Sequence, residues 1–381
     1  MSDNTAKNNQ MDYKKEIDDL VNTIISPEES NKQGMGDLVS LILNSGASDL
    51  HLSTGRKPII RMSGNLMPLS KMEVLTETDM KGFLTAFLSP ESKEILDREK
   101  NVDFSYSVSR ARFRGNAYYR QGAVSIALRL IPKIIRTLTE LNLPPILETF
   151  TRKQQGFFLV VGPIGQGKST TLASMIDLIN QTRTEHILTI EDPIEYVFES
   201  KKSIIDQREV RLDTPSFQSA LTAMFREDID VAMVGEMRDT NTISTAVTAA
   251  ETGHLIFSTL HTNNAAQTID RIIDSFPEGQ QDQVRVQLTG SLTGIFSQRL
   301  IPRISGGLIP AYELLINNNA ISNLIRERRT HEINTVIETS SQDGMIDLNR
   351  SLAELVRVGE ITVESAYMNS INPKTLERLI Q

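Results

Sequence analysis

The residues Gly162-Pro163-Ile164-Gly165-Gln166-Gly167-Lys168-Ser169-Thr170 have the spacing G-x-x-x-x-G-K-[ST]. Backbone N–H groups of such a glycine-rich loop turn inward around an anion, and the helix that follows adds its positive end. Lys168 can reach the β- and γ-phosphates as a point charge, and the Ser169 hydroxyl is a ligand for Mg²⁺. The apolar run GFFLVV before the loop reads as a buried strand, and TTLASMIDLIN after it reads as a helix. That is the context the motif requires. It specifies binding of a nucleoside triphosphate and leaves the use of that nucleotide open.

Hydrolysis needs a carboxylate that orients or deprotonates water beside the γ-phosphate. IDVAMVGEMRD supplies one: a short buried strand, Val231 to Val234, ends in Gly235-Glu236. Ligands of open α/β sheets lie at the carboxyl ends of strands, so Glu236 is well placed. Gly235 stands where a Mg²⁺-binding aspartate is usual, so another carboxylate or water must complete that shell. LTIEDPIEYVFE offers Glu191, Asp192 and Glu195 at the same edge, with a solvated acidic turn as the equally weighted alternative.

GHLIFSTLHT brackets a strand with His254 and His261. At the rise of a strand these ends are about 20 Å apart, too far to share one metal ion. His261 ends the strand on the nucleotide side and reads as a sensor of the γ-phosphate. His254 begins it and reads as structural or as lying at a subunit seam. Upstream, ARFRGNAYYRQGAVSIALRLIP with the residue before it carries Arg110, Arg112, Arg114, Arg120 and Arg129, with Arg112 and Arg114 on one strand face. A phosphate clamp, a solvated strand face and, given Phe113, Tyr118 and Tyr119, a single-strand nucleic-acid platform all fit that spacing.

The elements that must position these residues follow from the pattern of the chain. It has 381 residues, a net charge of −8, 39% hydrophobic and 23% charged residues and no cysteine. Disulfides and thiolate metal sites are thereby excluded, and the acidic balance disfavours wholesale nucleic-acid binding. No apolar run reaches the roughly 18 residues of a membrane span, and the N-terminus lacks the pattern of a secretory signal. The expectation is a soluble, cytoplasmic protein. Residues 1–34 read as a flexible polar tail, 35–136 as an α+β domain and 137–146, with Pro144-Pro145, as a linker. Residues 147–316 alternate strands and helices and predict a mostly parallel sheet; 317–381 read as helical. Expected strands are SDLHLS, PIIRMSG, VDFSYSV, ARFRGNAYYR, VSIALRLI, GFFLVVG, EHILTIED, IDVAMVGE, HLIFSTLH and LIPAYELLI. DLVSLILNS predicts a buried helix through Leu38, Val39, Leu41, Ile42 and Leu43, and AISNLIRE a helix capped by Asn319 whose stripe Ile321, Leu324 and Ile325 packs in the core.

GASDLHLS, GPIGQGKSTT, ILTIEDPIEYVFESKK, DQREV, VGEMRD, TAAETGHLIFSTLHT and AISNLIRE occur in the order of the PilT-type secretion ATPases, which the chain resembles from about Met35 to its end. The resemblance implies an α/β architecture: a RecA-like P-loop core, a PAS-like N-terminal domain and C-terminal helices. It implies ATP and Mg²⁺ as cofactors. It assigns Glu236 and Glu195 to catalysis with His261, places His254 and His261 in the histidine box, and assigns Arg114 and Arg129 to nucleotide phosphates. It also implies a homohexamer that powers type IV pilus retraction from the inner face of the cytoplasmic membrane, against a platform protein, with no nucleic-acid partner. Absence of a four-cysteine zinc motif favours retraction over assembly. Ser322 replaces the first arginine of the motif AIRNLIRE, and Ile229 a usual proline. These departures keep open an accessory PilU-like paralogue acting on a partner pilus ATPase; a nucleic-acid translocase is the remoter alternative.

Overall fold

A computed structural model describes residues 35–62, 65–108, 111–131, 134–237 and 239–381. The tail 1–34 and Arg110 lie outside the described residues. Chain contacts divide the protein into two units, Met1–Lys133 and Ile134–Gln381.

The first unit is built on a six-stranded antiparallel sheet. Its strands are β1 (Asp49–Ser53), β2 (Ile59–Met62), β3 (Asn65–Pro68), β4 (Asn101–Val108), β5 (Ala111–Arg120) and β6 (Ala123–Ile131). They lie in the order β3-β2-β1-β6-β5-β4. Helices Met35–Ser45, Glu77–Phe87 and Pro90–Glu99 contribute to a core that includes Leu38, Leu41, Ile42, Met80, Phe83, Phe87 and Leu96. Leu43, expected in that core, is exposed at 42%, because one helix face cannot bury the three consecutive positions 41–43. Thr76 and Asp79 close a capping box at the second helix: the Asp79 N–H donates to Thr76 Oγ1 at 3.2 Å and the Thr76 N–H to Asp79 Oδ2 at 2.8 Å.

The second unit carries seven strands: β7 (Gly156–Val161), β8 (His186–Glu191), β9 (Ile204–Glu209), β10 (Val231–Val234), β11 (Leu255–Leu260), β12 (Leu292–Pro302) and β13 (Leu308–Ile316). Their order is β13-β12-β7-β11-β10-β8-β9, and every pair is parallel except β12 with β13. All six residues of β7 are buried. Phe157, Leu159 and Val161 face one core and Phe158 and Val160 the other, as a strand covered on both sides requires. The sequence pattern had offered neither β9 nor β12 as a strand, nor β3 in the first unit. β12 mixes Thr, Gly, Ser, Gln and Arg among its apolar residues, so it lacks the continuous apolar run of a central strand.

Helices then run to the end of the chain. The helix Asn319–Arg326 is capped by Asn318, not Asn319: Asn318 Oδ1 accepts from the Ile321 N–H at 3.0 Å. Ile321, Leu324 and Ile325 are buried and Arg326 and Glu327 exposed.

Glu313 of β13 is a buried charge with a defined task. Its Oε1 accepts from the Ala265 N–H at 2.7 Å, satisfying an orphan donor at the start of the helix Ala265–Asp274. Burial pushes its carboxyl up to about 7, with Asp347 adding to the rise and the Ala265 bond and Arg299 opposing it. A raised folded value means that wild-type stability is greatest below the unfolded carboxyl range and falls as pH rises towards 7. Glu313→Gln keeps the acceptor and loses the charge. Relative to wild type, it is expected to gain on the order of 3 kcal/mol of stability between pH 4.5 and pH 8. Urea denaturation at the two pH values measures this, and an equal difference at both would refute the buried-charge account.

Candidate functional site

The phosphate loop leaves β7 at Gly162 and enters the helix Lys168–Thr182 at Gly167. Both glycines are conformationally required. Gly162 has φ +149°, and a Cβ there would stand 2.4 Å from the Gln298 carbonyl oxygen. Gly167, the residue capping the helix, is left-handed at φ +78°. Gly162→Ala is therefore expected to destabilise the protein by about 2–4 kcal/mol, from backbone strain plus overpacking against a backbone atom. A thermal midpoint within 1 °C of wild type would contradict it.

Lys168 is 7% exposed. Its Nζ donates to the carbonyls of Gly162 and Pro163, both at 2.8 Å, and meets His261 Nδ1 at 3.1 Å. An ammonium has no lone pair, so Nδ1 accepts. The neutral ring then carries its proton on Nε2, which lies 3.4 Å from Glu236 Oε1. Burial lowers the lysine's pKa, and Glu236 and Glu195 oppose that fall. One lysine, one histidine and two carboxylates, from four separate stretches of sequence, thus share one electrostatic site at the carboxyl edge of the sheet.

Glu191, the last residue of β8, is not on a solvated turn. It is 6% exposed and accepts from Thr189 Oγ1 at 2.7 Å, the Glu195 N–H at 3.2 Å and Gln207 Nε2 at 3.3 Å. Burial still raises its carboxyl to about 7, against those three donors. Its Cγ lies 3.8 Å from where a Gly235 Cβ would stand, so it borders the space left by the missing aspartate. Asp192 is instead held by Arg211 at 2.9 Å. Thr170 Oγ1 and the Tyr196 hydroxyl, 2.8 Å apart, tie the loop's helix to this acidic segment.

His254 and His261 precede and follow β11, so they do not meet. The His254 ring stands 3.1 Å from the Ala249 carbonyl through Nδ1 and packs edge-on against Phe225, the satisfied structural role expected of it. Arg114 and Arg129 belong to the first unit and are cross-strand partners on β5 and β6. The Arg129 Nε donates to Asp49 Oδ1 at 2.8 Å. Ile164 is 82% exposed. Gln166 uses its side chain as well as its backbone: its Oε1 accepts from the Leu300 N–H at 2.6 Å. Sequence reasoning missed that bond and the partner residue Gln298, because both depend on β12.

Among the described residues no cluster of three or more His, Cys, Asp or Glu could hold a metal by itself. Ser169, half-buried in the first turn of the helix Lys168–Thr182, is an oxygen donor of the kind Mg²⁺ takes beside phosphate oxygens. No helix among the described residues is long and apolar enough to cross a membrane.

The parallel sheet with a glycine-rich loop at its carboxyl edge defines a RecA-like P-loop nucleotide-binding protein. Residues 32–308 match the family model described as type II/IV secretion system protein, and the chain belongs to that family. It is 44% identical over 321 residues to a twitching motility protein of Neisseria gonorrhoeae, covering 84% of this chain and 86% of that one. It is 43% identical to the type IV pilus retraction ATPase PilT of Pseudomonas aeruginosa, covering 87% and 96%. Its fold is similar to a crystal structure of the pilus retraction motor PilT with bound ADP, with a TM-score of 0.86, 47% identity and coverage of 91% and 100%.

Proposed function

We propose that this protein hydrolyses ATP to power retraction of type IV pili. The observation that carries the reading is the linkage Lys168–His261–Glu236, which joins the phosphate-binding lysine to a carboxylate able to act on water. Lys168 neutralises phosphate charge and Glu236 orients or deprotonates the attacking water. His261 contacts both, so a γ-phosphate that draws Lys168 towards itself is registered at Glu236. Glu195 assists through its charge. Mg²⁺, held by Ser169 and phosphate oxygens, supplies charge neutralisation when bound. Glu191, whose Cγ lies 3.8 Å from where a Gly235 Cβ would stand, is the carboxylate assigned to compensate for that glycine. Assignment of Arg114 and Arg129 to nucleotide phosphates rests on the resemblance, as do the homohexamer, the platform partner and the position at the inner face of the membrane.

The test is deletion of the gene with complementation by wild type or Lys168→Ala. Wild type should restore twitching, whereas Lys168→Ala should leave cells heavily piliated and non-motile. Normal retraction in the deletion strain would overturn the reading. Turnover that appears only on mixing with a second pilus ATPase would move it to an accessory role.

A further inference from the structure

We propose that Gln298 and Gln166 form a clasp that positions the phosphate loop before nucleotide arrives. The inference rests on the reading of that loop as a nucleotide site. β12 is longer than the strand beside it: its last pair with β7 is Ser297 with Val161, yet it runs on to Pro302. Beyond Ser297 the edge of β12 faces the loop instead of a strand. Two amide side chains continue the pairing there. Gln298 is 3% exposed and uses both ends of its amide. Its Oε1 accepts from Thr171 Oγ1 at 2.7 Å, and its Nε2 donates to the Gln166 carbonyl at 2.7 Å. Gln166 returns the contact through its Oε1, which accepts from the Leu300 N–H at 2.6 Å. At the loop's start, Gly162 brings its backbone against the Gln298 carbonyl, where a Cβ would not fit.

β12 therefore holds the loop at its first residue, its middle and the first turn of its helix. An amide group whose direction is fixed in the free protein loses no freedom on binding phosphate. The clasp makes Gln298 a positioning residue for the loop, and the Gln166 side chain does the same from within it.

Gln166→Met and Gln298→Met keep side-chain length and remove the hydrogen bonds. Titration with mant-ADP, which needs no turnover, should show a Kd raised about fivefold for Gln166→Met and about tenfold for Gln298→Met. The double variant should lie within twofold of Gln298→Met alone, because the two bonds belong to one arrangement. KM for ATP should rise by more than kcat falls. Gln298→Glu, which keeps the acceptor for Thr171 but buries a negative charge against the Gln166 carbonyl, should raise Kd at least as far as Gln298→Met. Wild-type affinity in both single variants would overturn the clasp, and so would effects that multiply independently. Should Gln298→Met fold poorly, the half-exposed Gln166→Met carries the comparison alone. Failure of the wild-type protein to bind mant-ADP would instead overturn the nucleotide reading, and the clasp with it.

Discussion

Lys168→Ala should reduce ATP turnover by roughly 10³-fold, the scale of losing one preorganised group that stabilises transition-state charge. The buried ammonium is held by two backbone carbonyls and one imidazole nitrogen, all neutral acceptors. These fix its direction while leaving its charge uncompensated at first contact. Only the more distant carboxylates Glu236 and Glu195 oppose its loss of a proton. A phosphate arriving at the loop therefore meets a cation already paid for in desolvation. Lys168→Arg should not restore activity, because a planar guanidinium cannot occupy the pocket of a compact ammonium. Removing a desolvated charge costs the fold little, so the nucleotide-free melting temperature should move by only about 2–4 °C. Turnover within tenfold of wild type in a folded Lys168→Ala protein would refute the role.

Much of this site could be read from the sequence because its residues sit in contiguous stretches with local geometric meaning. The strand GFFLVV, the loop and the helix after it specify one another through glycine positions and apolar runs, and β7 and Lys168–Thr182 form as expected. Glu236 and His261 were legible for a related reason: each ends a short buried strand, and a parallel sheet gathers such ends at one edge. Spacing could not show the environment of Glu191. Its acidic neighbours resemble a solvated turn, and only the packing of β9 beside β8 encloses it, with Gln207 supplied from that strand. The glutamine contacts at β12 were hidden more deeply. Polar residues interrupt the strand's apolar pattern because their side chains bond other segments, Gln298 among them bonding the loop, so the feature that makes β12 functional also obscures it. Ser297, Gln298 and Thr293 all spend their side chains on hydrogen bonds to other segments.

Glu236→Gln should separate binding from chemistry. Its carboxylate lies 3.4 Å from His261 Nε2, and an amide of the same size fills that place without the charge. His261 then keeps its tautomer, and its Nδ1 stays available to Lys168. The amide cannot take a proton from water, so turnover should fall by about 10²–10⁴, the usual contribution of a positioned general base. ATP affinity should hold or rise, since one negative charge leaves the neighbourhood of the γ-phosphate. His261→Ala should act differently: Lys168 loses an acceptor and Glu236 its imidazole neighbour together, so KM and kcat should both worsen. The contrast is measurable by equilibrium binding of a non-hydrolysable ATP analogue alongside steady-state turnover. Wild-type turnover in Glu236→Gln would remove that residue from the chemistry and leave Glu195 or Glu191 to act on water. If Glu236→Gln instead lost nucleotide binding while His261→Ala retained it, the link from lysine through histidine to carboxylate would be structural, and the γ-phosphate would have to be sensed elsewhere.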